Sequence, residues 1–230
     1  MRAAVRRIGD FDTCPRSTQV DVTPLLGLRL RTPQLELRLG TSDEIAELGR
    51  IADHGVHPPD EMPFRTPWTD RSGQELVDSM VEYHLRTREE WRRERWSLVL
   101  CVFLGGRPIG GQDFRGVEFA SRREFETGSW LGREYQGLGY GTEMREAALE
   151  LGFAGLGAAA AISGAFDFNK ASLRVSEKLG YELVDETTFA PRAEPQRELV
   201  VRLTRAEWER RSHPAVGIEG LELCLPLFGL

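Results

Sequence analysis

Trp130-Leu131-Gly132-Arg133-Glu134-Tyr135-Gln136-Gly137-Leu138-Gly139-Tyr140-Gly141-Thr142 reads as the end of a strand, a glycine-rich turn and the first turn of a helix. Glycines alternate at Gly137, Gly139 and Gly141, so the backbone is bare where the helix begins. The first N–H groups of a helix have no partner within it, and the helix dipole places partial positive charge there. A bare backbone at such an end can cradle a phosphate. A dinucleotide turn needs G-x-G-x-x-G, with an acidic residue about 20 positions further on for the ribose. Here the spacing is G-x-G-x-G, and no acidic residue stands out at that distance. A P-loop needs Gly-Lys-Ser/Thr, which is missing.

The flanks extend this reading in both directions. Glu124 to Leu131 reads as the strand entering the turn, and Met144, Ala147, Ala148 and Leu151 follow at helical spacing until Gly155 and Gly157. Ala158 to Ala165 is small and apolar, as in a buried strand. Asn169 suits an N-cap, Ser172, Val175 and Leu179 share a helix face, and Gly180 suits the stop. Strands are expected at Tyr181 to Val184 and Arg197 to Leu203, with a short helix capped by Thr204. Upstream, Leu35 to Leu39 alternates as a half-buried strand, and Thr41 starts a helix whose inner face is Ile45, Leu48, Ile51 and Ala52. A long helix is expected from Ser72 to near Arg95, with His84 on its apolar stripe as a core histidine. Trp96 to Leu104 is a central strand with Cys101 as an inert buried thiol. Gly105 and Gly106 turn it back into Pro108 to Phe114.

Three segments follow. Residues 1–33, punctuated by Pro15, Pro24 and Pro33, read as an irregular N-terminal extension; 34–211 form the domain; 212–230 form a tail that adds an edge strand or docks as an extension. The chain of 230 residues is 40% hydrophobic and 29% charged, enough for a real core. A net charge of -6 argues against a nucleic-acid binder. Cys14, Cys101 and Cys224 are too few and too scattered for a disulfide framework or a thiolate metal site. No apolar run approaches the ~20 residues of a membrane helix, and the start has no apolar signal core, so a cytoplasmic, soluble protein is expected. The proline-rich loop from His54 to Trp68 carries His57, Phe64, Arg65 and Trp68. Its two histidines lack a third ligand, so it reads as a structural or substrate-lining loop and no metal is expected.

Gln136-Gly137-Leu138-Gly139-Tyr140-Gly141 matches, at every specified position, the Gln/Arg-x-x-Gly-x-Gly/Ala signature of the GNAT N-acyltransferases. Asn169-Lys170-Ala171-Ser172-Leu173-Arg174-Val175-Ser176-Glu177-Lys178-Leu179-Gly180-Tyr181 resembles that family's second element, an Asn-led helix ending in Leu-Gly-Phe/Tyr. The resemblance spans residues 34–205 and is closest in form to the branch with the ribosomal-protein N-terminal acetyltransferases. The proline-rich loop and the Cys-Leu-Pro-Leu-Phe-Gly tail resemble an actinobacterial subgroup, one member of which is associated with succinyl-CoA. The resemblance implies an α/β (α+β) fold. Its mixed, largely antiparallel sheet has about seven strands flanked by helices, and a splayed strand pair forms the CoA cleft.

The implied reaction moves an acyl group from the sulfur of CoA to an amine. Acetyl-CoA is the expected donor and succinyl-CoA the alternative; a CoA-binding regulator without catalysis is the rival of another class. Backbone N–H groups of Leu138, Gly139, Tyr140, Gly141 and Thr142 are expected to hold the pyrophosphate, with Gln136 completing the cradle. The resemblance puts the pantetheine arm beside Trp130 and Leu131, whose backbone also polarises the thioester carbonyl. An alkyl amine arrives protonated and needs a base. Glu126 is the first candidate, with Glu124, Asp113 or a water chain behind it. Ser176 stands where many relatives carry a tyrosine acid, and Ser172 resembles a serine proposed for that role in the ribosomal branch. Asn169 is expected to bond the pantetheine, to cap its helix, or both. His57, Phe64, Arg65 and Trp68 are expected to line the acceptor site, with Arg65 and Trp68 suited to a donor carboxylate. The acceptor amine, whether protein N-terminus, amino acid, antibiotic or polyamine, and any homo-oligomer stay open.

Overall fold

The computed structural model describes residues 20–230. Nine strands form one sheet: β1 (Arg29–Arg31), β2 (Leu35–Arg38), β3 (Arg95–Leu104), β4 (Arg107–Val117), β5 (Glu124–Leu131), β6 (Ala160–Phe166), β7 (Glu182–Phe189), β8 (Gln196–Thr204) and β9 (Gly217–Glu219). Their order across the sheet is β7-β8-β6-β5-β4-β3-β2-β1-β9. Only β5 and β6 pair in parallel; every other neighbour pair is antiparallel. The helices are α1 (Ser42–Asp53), α2 (Gly73–Glu89), α3 (Phe119–Arg122), α4 (Tyr140–Glu150), α5 (Lys170–Leu179) and α6 (Arg205–Glu209).

The α/β class stands, but the sheet has nine strands where about seven were expected. The two additions are short. Arg29–Arg31, within the segment read as irregular, pairs with both β2 and β9. The other additional strand is β9, from the tail. A second difference lies at the end of α2, which stops at Glu89 well before Arg95. Trp91 turns into the core there, with its Nε1 donating to Leu227 O at 2.9 Å. Arg92 and Arg95 then exchange backbone hydrogen bonds in a tight turn, which a continuing helix cannot accommodate.

Local chemistry sets the helix starts. Thr41 and Glu44 form a reciprocal capping box on α1, and Thr204 and Glu207 form another on α6. Each satisfies two backbone or side-chain donors that the helix leaves orphaned. Gly105 and Gly106 both have positive φ, which the tight β3–β4 turn requires.

Each sheet face has its own core. Ile45, Leu48 and Ala52 of α1 pack with Leu76 and Met80 of α2 over Cys101 and Phe103 of β3. The opposite face carries an aromatic ladder: Trp91 stacks on Trp96, Trp96 on Phe114, and Phe114 on Phe125 at 4.3 Å between centroids. Phe153, in the π turn Leu151–Gly155 that ends α4, closes the ladder edge-on against Phe125.

The topology opens a gap in the middle of the sheet. Parallel pairing of β5 with β6 runs from Glu124↔Ala160 to Thr127↔Ser163 and then ceases. Beyond it β5 continues to Leu131 on β4 alone, and β6 continues to Phe166 on β8 alone. The two strands diverge as a splayed pair whose open side leads to the glycine turn.

The ladder leaves no room at Gly152, where an added Cβ lands on the Phe125 ring. Gly152→Ala is therefore expected to destabilise the protein by ~1–3 kcal/mol through overpacking, read as a lower urea midpoint with unchanged slope. An unchanged midpoint contradicts the packing described.

Candidate active site

The glycine turn sits between the end of β5 and the start of α4. Gly137 and Gly139 have φ of 75° and 94°, and nothing lies within 4 Å of a Cβ built at either. Gly139 is the N-cap and offers no side chain. The N–H groups of Thr142 and Glu143 both donate to Gly139 O, at 3.0 and 3.2 Å. Those of Leu138, Gly139, Tyr140 and Gly141 have no acceptor among the described residues. Four free donors and a glycine wall fit a pyrophosphate. Thr142, expected among the donors, is already engaged. Gln136 also differs from expectation: its Nε2 donates to Val56 O at 2.7 Å and to Leu131 O at 2.8 Å. It braces the turn against the β5 end and the proline-rich loop, which leaves its amide donors committed to the protein.

The same loop is drawn onto the strand end. Phe64 lies 5.0 Å from Trp68 and Trp68 lies 5.2 Å from Trp130, ring centre to ring centre. His57 packs edge-on against Phe64. One ring nitrogen of His57 lies 2.8 Å from Pro58 O and the other 2.7 Å from Thr69 Oγ1. Both nitrogens are thus occupied by structure, and no cluster of three metal-ligating side chains occurs among the described residues. Arg192, in the β7–β8 connection, reaches back to Asp70 and to the carbonyls of Pro59 and Glu61. Residues 55–70 are held from both sides of the gap.

Alternation along β4 and β5 puts Asp113, Arg115 and Glu126 on one face, since Arg115 pairs with Glu126 and Asp113 with Gly128. Arg65 enters that face from the loop. Its Nε and Nη2 bond both oxygens of Glu198, at 2.6 and 3.0 Å, and its Nη1 bonds Glu126 Oε1 at 3.1 Å. Burial lowers the affinity of Arg65 for its proton, but the bonds to Glu198 and the charges of Glu126 and Glu198 outweigh it. Arg115 pairs with Asp113, which also accepts from Tyr83 Oη at 3.2 Å. The Asp113 charge, followed by burial, pushes the Tyr83 hydroxyl up.

On the far wall, Asn169 Oδ1 accepts from Ser172 N at 3.2 Å, so the side chain caps α5. Ser172 is half-buried and Ser176 is buried. Cys101 is buried, and burial pushes its thiol up to about 12, which suits an inert core residue. The structure therefore brings Glu126, Arg65, Trp68 and Trp130 together across one face, with the glycine turn at the end of the same strand. Sequence reading missed Glu198, Arg115 and Tyr83. The signal for Glu198 was a carboxylate within the apolar strand Glu198-Leu199-Val200-Val201, where it is 3% exposed.

A family model described as an acetyltransferase (GNAT) domain matches residues 34–182. Similar solved structures include Mycobacterium smegmatis RimJ in complex with CoA-disulfide, at 19% identity and a TM-score of 0.64, covering 88% of this chain and 95% of that one. A Microcin C7 self-immunity acetyltransferase, MccE, in complex with acetyl-CoA and AMP is 14% identical with a TM-score of 0.61, covering 75% and 93%. A spermidine N-acetyltransferase SpeG chimera from Vibrio cholerae and hSSAT is 16% identical with a TM-score of 0.60, covering 77% and 99%. At these identities the likeness is one of fold.

His84 lies under this face at 4% exposure, with its Nδ1 unpartnered. Burial lowers its pKa from 6.5 to about 4, against the opposing pull of Asp113. The unfolded chain therefore binds more protons than the folded one between these values, and stability falls as pH falls through that window. The expected slope from this residue reaches up to ~1.4 kcal/mol per pH unit. Urea midpoints recorded across the window should show a flatter profile for His84→Leu than for the native protein; parallel profiles contradict the burial argument.

Proposed function

Because the chain belongs to the acetyltransferase (GNAT) domain family, we propose that it is an N-acyltransferase moving an acyl group, acetyl by preference, from acyl-CoA to a primary amine. The observation that carries this reading is the run of four unpaired N–H groups from Leu138 to Gly141 at the start of α4. It lies at the end of a strand whose residues Gly128 to Trp130 pair in the sheet with β4 and no longer with β6 on the other edge. A pyrophosphate at the turn and an extended pantetheine arm along that edge satisfy both sets of groups. The acyl carbon then comes beside Trp130, where the aromatic run Phe64–Trp68–Trp130 excludes water.

Direct attack in a ternary complex suits these residues. Cys101 is buried away from reaction as a high-pKa thiol, so no acyl-enzyme is invoked. Glu126 is the base of this proposal: Arg65 takes its Oε1, and Oε2 has no hydrogen bond among the described residues. Ser172 lines the donor side, and His57 and Phe64 line the acceptor loop. The pairing of Arg65 with two carboxylates favours acetyl over succinyl, since its charge is already compensated. A succinyl carboxylate would have to displace Glu198 from a buried bidentate bond, and truncating or unpairing such a bond is costly.

Free-thiol release measured with acetyl-CoA and with succinyl-CoA over a panel of primary amines tests the reading. Acetyl-CoA is expected to be the better donor, and Glu126→Gln is expected to lower kcat by ~10²–10⁴. CoA binding without thiol release from either donor would instead identify a silent CoA-binding regulator. Gly139→Val forces a branched side chain into φ of 94° and covers the free donors. It is expected to weaken CoA binding at least about tenfold by calorimetry; unchanged affinity sinks the assignment of the turn.

A further inference from the structure

On the sheet face opposite Glu126 lies a cation with no acid. Arg145, on α4, is 3% exposed. Its Nη1 donates to Ser163 Oγ at 3.0 Å and its Nη2 to Ser129 Oγ at 3.0 Å. Ser163 in turn donates to Thr127 O at 3.3 Å. The buried Tyr181 hydroxyl lies beside Thr127 and the Arg145 guanidinium and interacts with both. Arg145 makes no ion pair among the described residues. This is unlike Arg65 and Arg115 on the other face, each tied to carboxylates.

A buried charge without a counter-charge is expensive, and proteins seldom keep one without a use. Its location supplies one. Thr127↔Ser163 is the last rung of β5–β6 pairing, and Ser129 is on the first stretch of β5 that has lost β6. The guanidinium fork therefore spans the apex of the splay, from the last closed position on β6 to the first open position on β5. It props the strands apart where backbone hydrogen bonds stop. It also brings positive charge to the innermost point of the gap, next to the hydroxyl of half-buried Ser129.

The geometry points to Arg145 as a positioning residue that, through the Ser129 hydroxyl, presents a fixed positive charge to the sulfur of the acyl donor. This rests on the acyl-CoA reading of the cleft. In the reaction the amine nitrogen bonds the carbonyl carbon, and the carbon–sulfur bond then breaks with its electron pair going to sulfur. The amine proton leaves to Glu126 or water. Negative charge therefore develops on sulfur in a site with little water, where a nearby preorganised cation acts strongly. With Nη2 donating to its oxygen, Ser129 keeps its own proton to hydrogen-bond the departing thiolate. The family resemblance sets Ser176 where many relatives carry a tyrosine acid and offers Ser172 in its stead, and a hydroxyl of that kind gains from a cation that steadies the thiolate. The other charged groups on the elements packed here, Glu143, Glu146 and Glu150 on α4, Lys170, Arg174, Glu177 and Lys178 on α5, and Glu124 and Glu126 on β5, form no ion pair with Arg145 among the described residues. Glu143 is spent on Thr32 and Gln34, and Glu126 belongs to the opposite face with Arg65.

The test titrates the thiol of bound CoA by its thiolate absorbance, alongside steady-state kinetics. In the native complex the thiol pKa should fall ~1–3 units below the free-thiol value near ~8.5. Arg145→Met should return it to the free value or above and cut kcat at least about tenfold with little change in KM. Arg145→Lys, which keeps the charge, should retain part of the shift. Should Arg145→Met fail to fold, Ser129→Ala makes a smaller change and should move the bound thiol upward in the same direction. A native complex without a lowered thiol, or a lowered thiol unaffected by either Arg145→Met or Ser129→Ala, overturns the inference while leaving CoA binding intact. Absence of CoA binding by the native protein overturns the acyltransferase reading and this inference with it.

Discussion

The parting of β5 from β6 is the constraint on which the rest of the molecule depends. A strand whose edge loses its neighbour has N–H and C=O groups that water or a ligand must satisfy. Here that edge is not on the outside of the sheet but near its middle, between β4 and β8. Burying it without a partner is unfavourable, so the chain builds an opening around it. The proline-rich loop and the β7–β8 hairpin flank the opening on one side, held to each other through Arg192 and Asp70. The α4 and α5 starts flank it on the other.

The two faces of the opening solve their electrostatics in different ways. On the Glu126 face, three carboxylates and two guanidiniums pair across β4, β5, β8 and the loop. Three carboxylates against two guanidiniums leave this face with one uncompensated negative charge. On the Arg145 face, hydroxyls solvate a lone cation. A reaction that separates charge across the gap, with a proton leaving on one side and an anion forming on the other, matches that asymmetry.

What the sequence made legible was local. Glycine spacing placed the turn, and Thr41, Asn169 and Thr204 placed three helix starts, because each effect acts within a few residues. The strand leading into the turn, Glu124 to Leu131, was legible to the residue. What stayed hidden depends on partners far along the chain. Arg65 meets Glu198 across 133 positions, and no periodicity announces that pair. Gln136 looked like a phosphate ligand because its short-range context is a phosphate turn, yet its amide goes to Val56, 80 positions away. The overlong α2 rests on an apolar stripe that ends before Arg95, and packing of Trp91 into the core ends the helix at Glu89. The three-residue strand β1 carries too few side chains for an alternation to show, whereas β9 meets the edge-strand reading of the tail.

Those two short strands have a kinetic meaning. Arg31 and Glu219 are 188 positions apart when they pair at the sheet edge. Closing so long a loop carries a large entropic cost that three-residue strands cannot offset by themselves. The edge can therefore form only on a template already in place, after β2 and β3 have assembled. Order along this edge spreads outward from the interior, and the chain segments that complete it are the last to gain protection and the first to lose it.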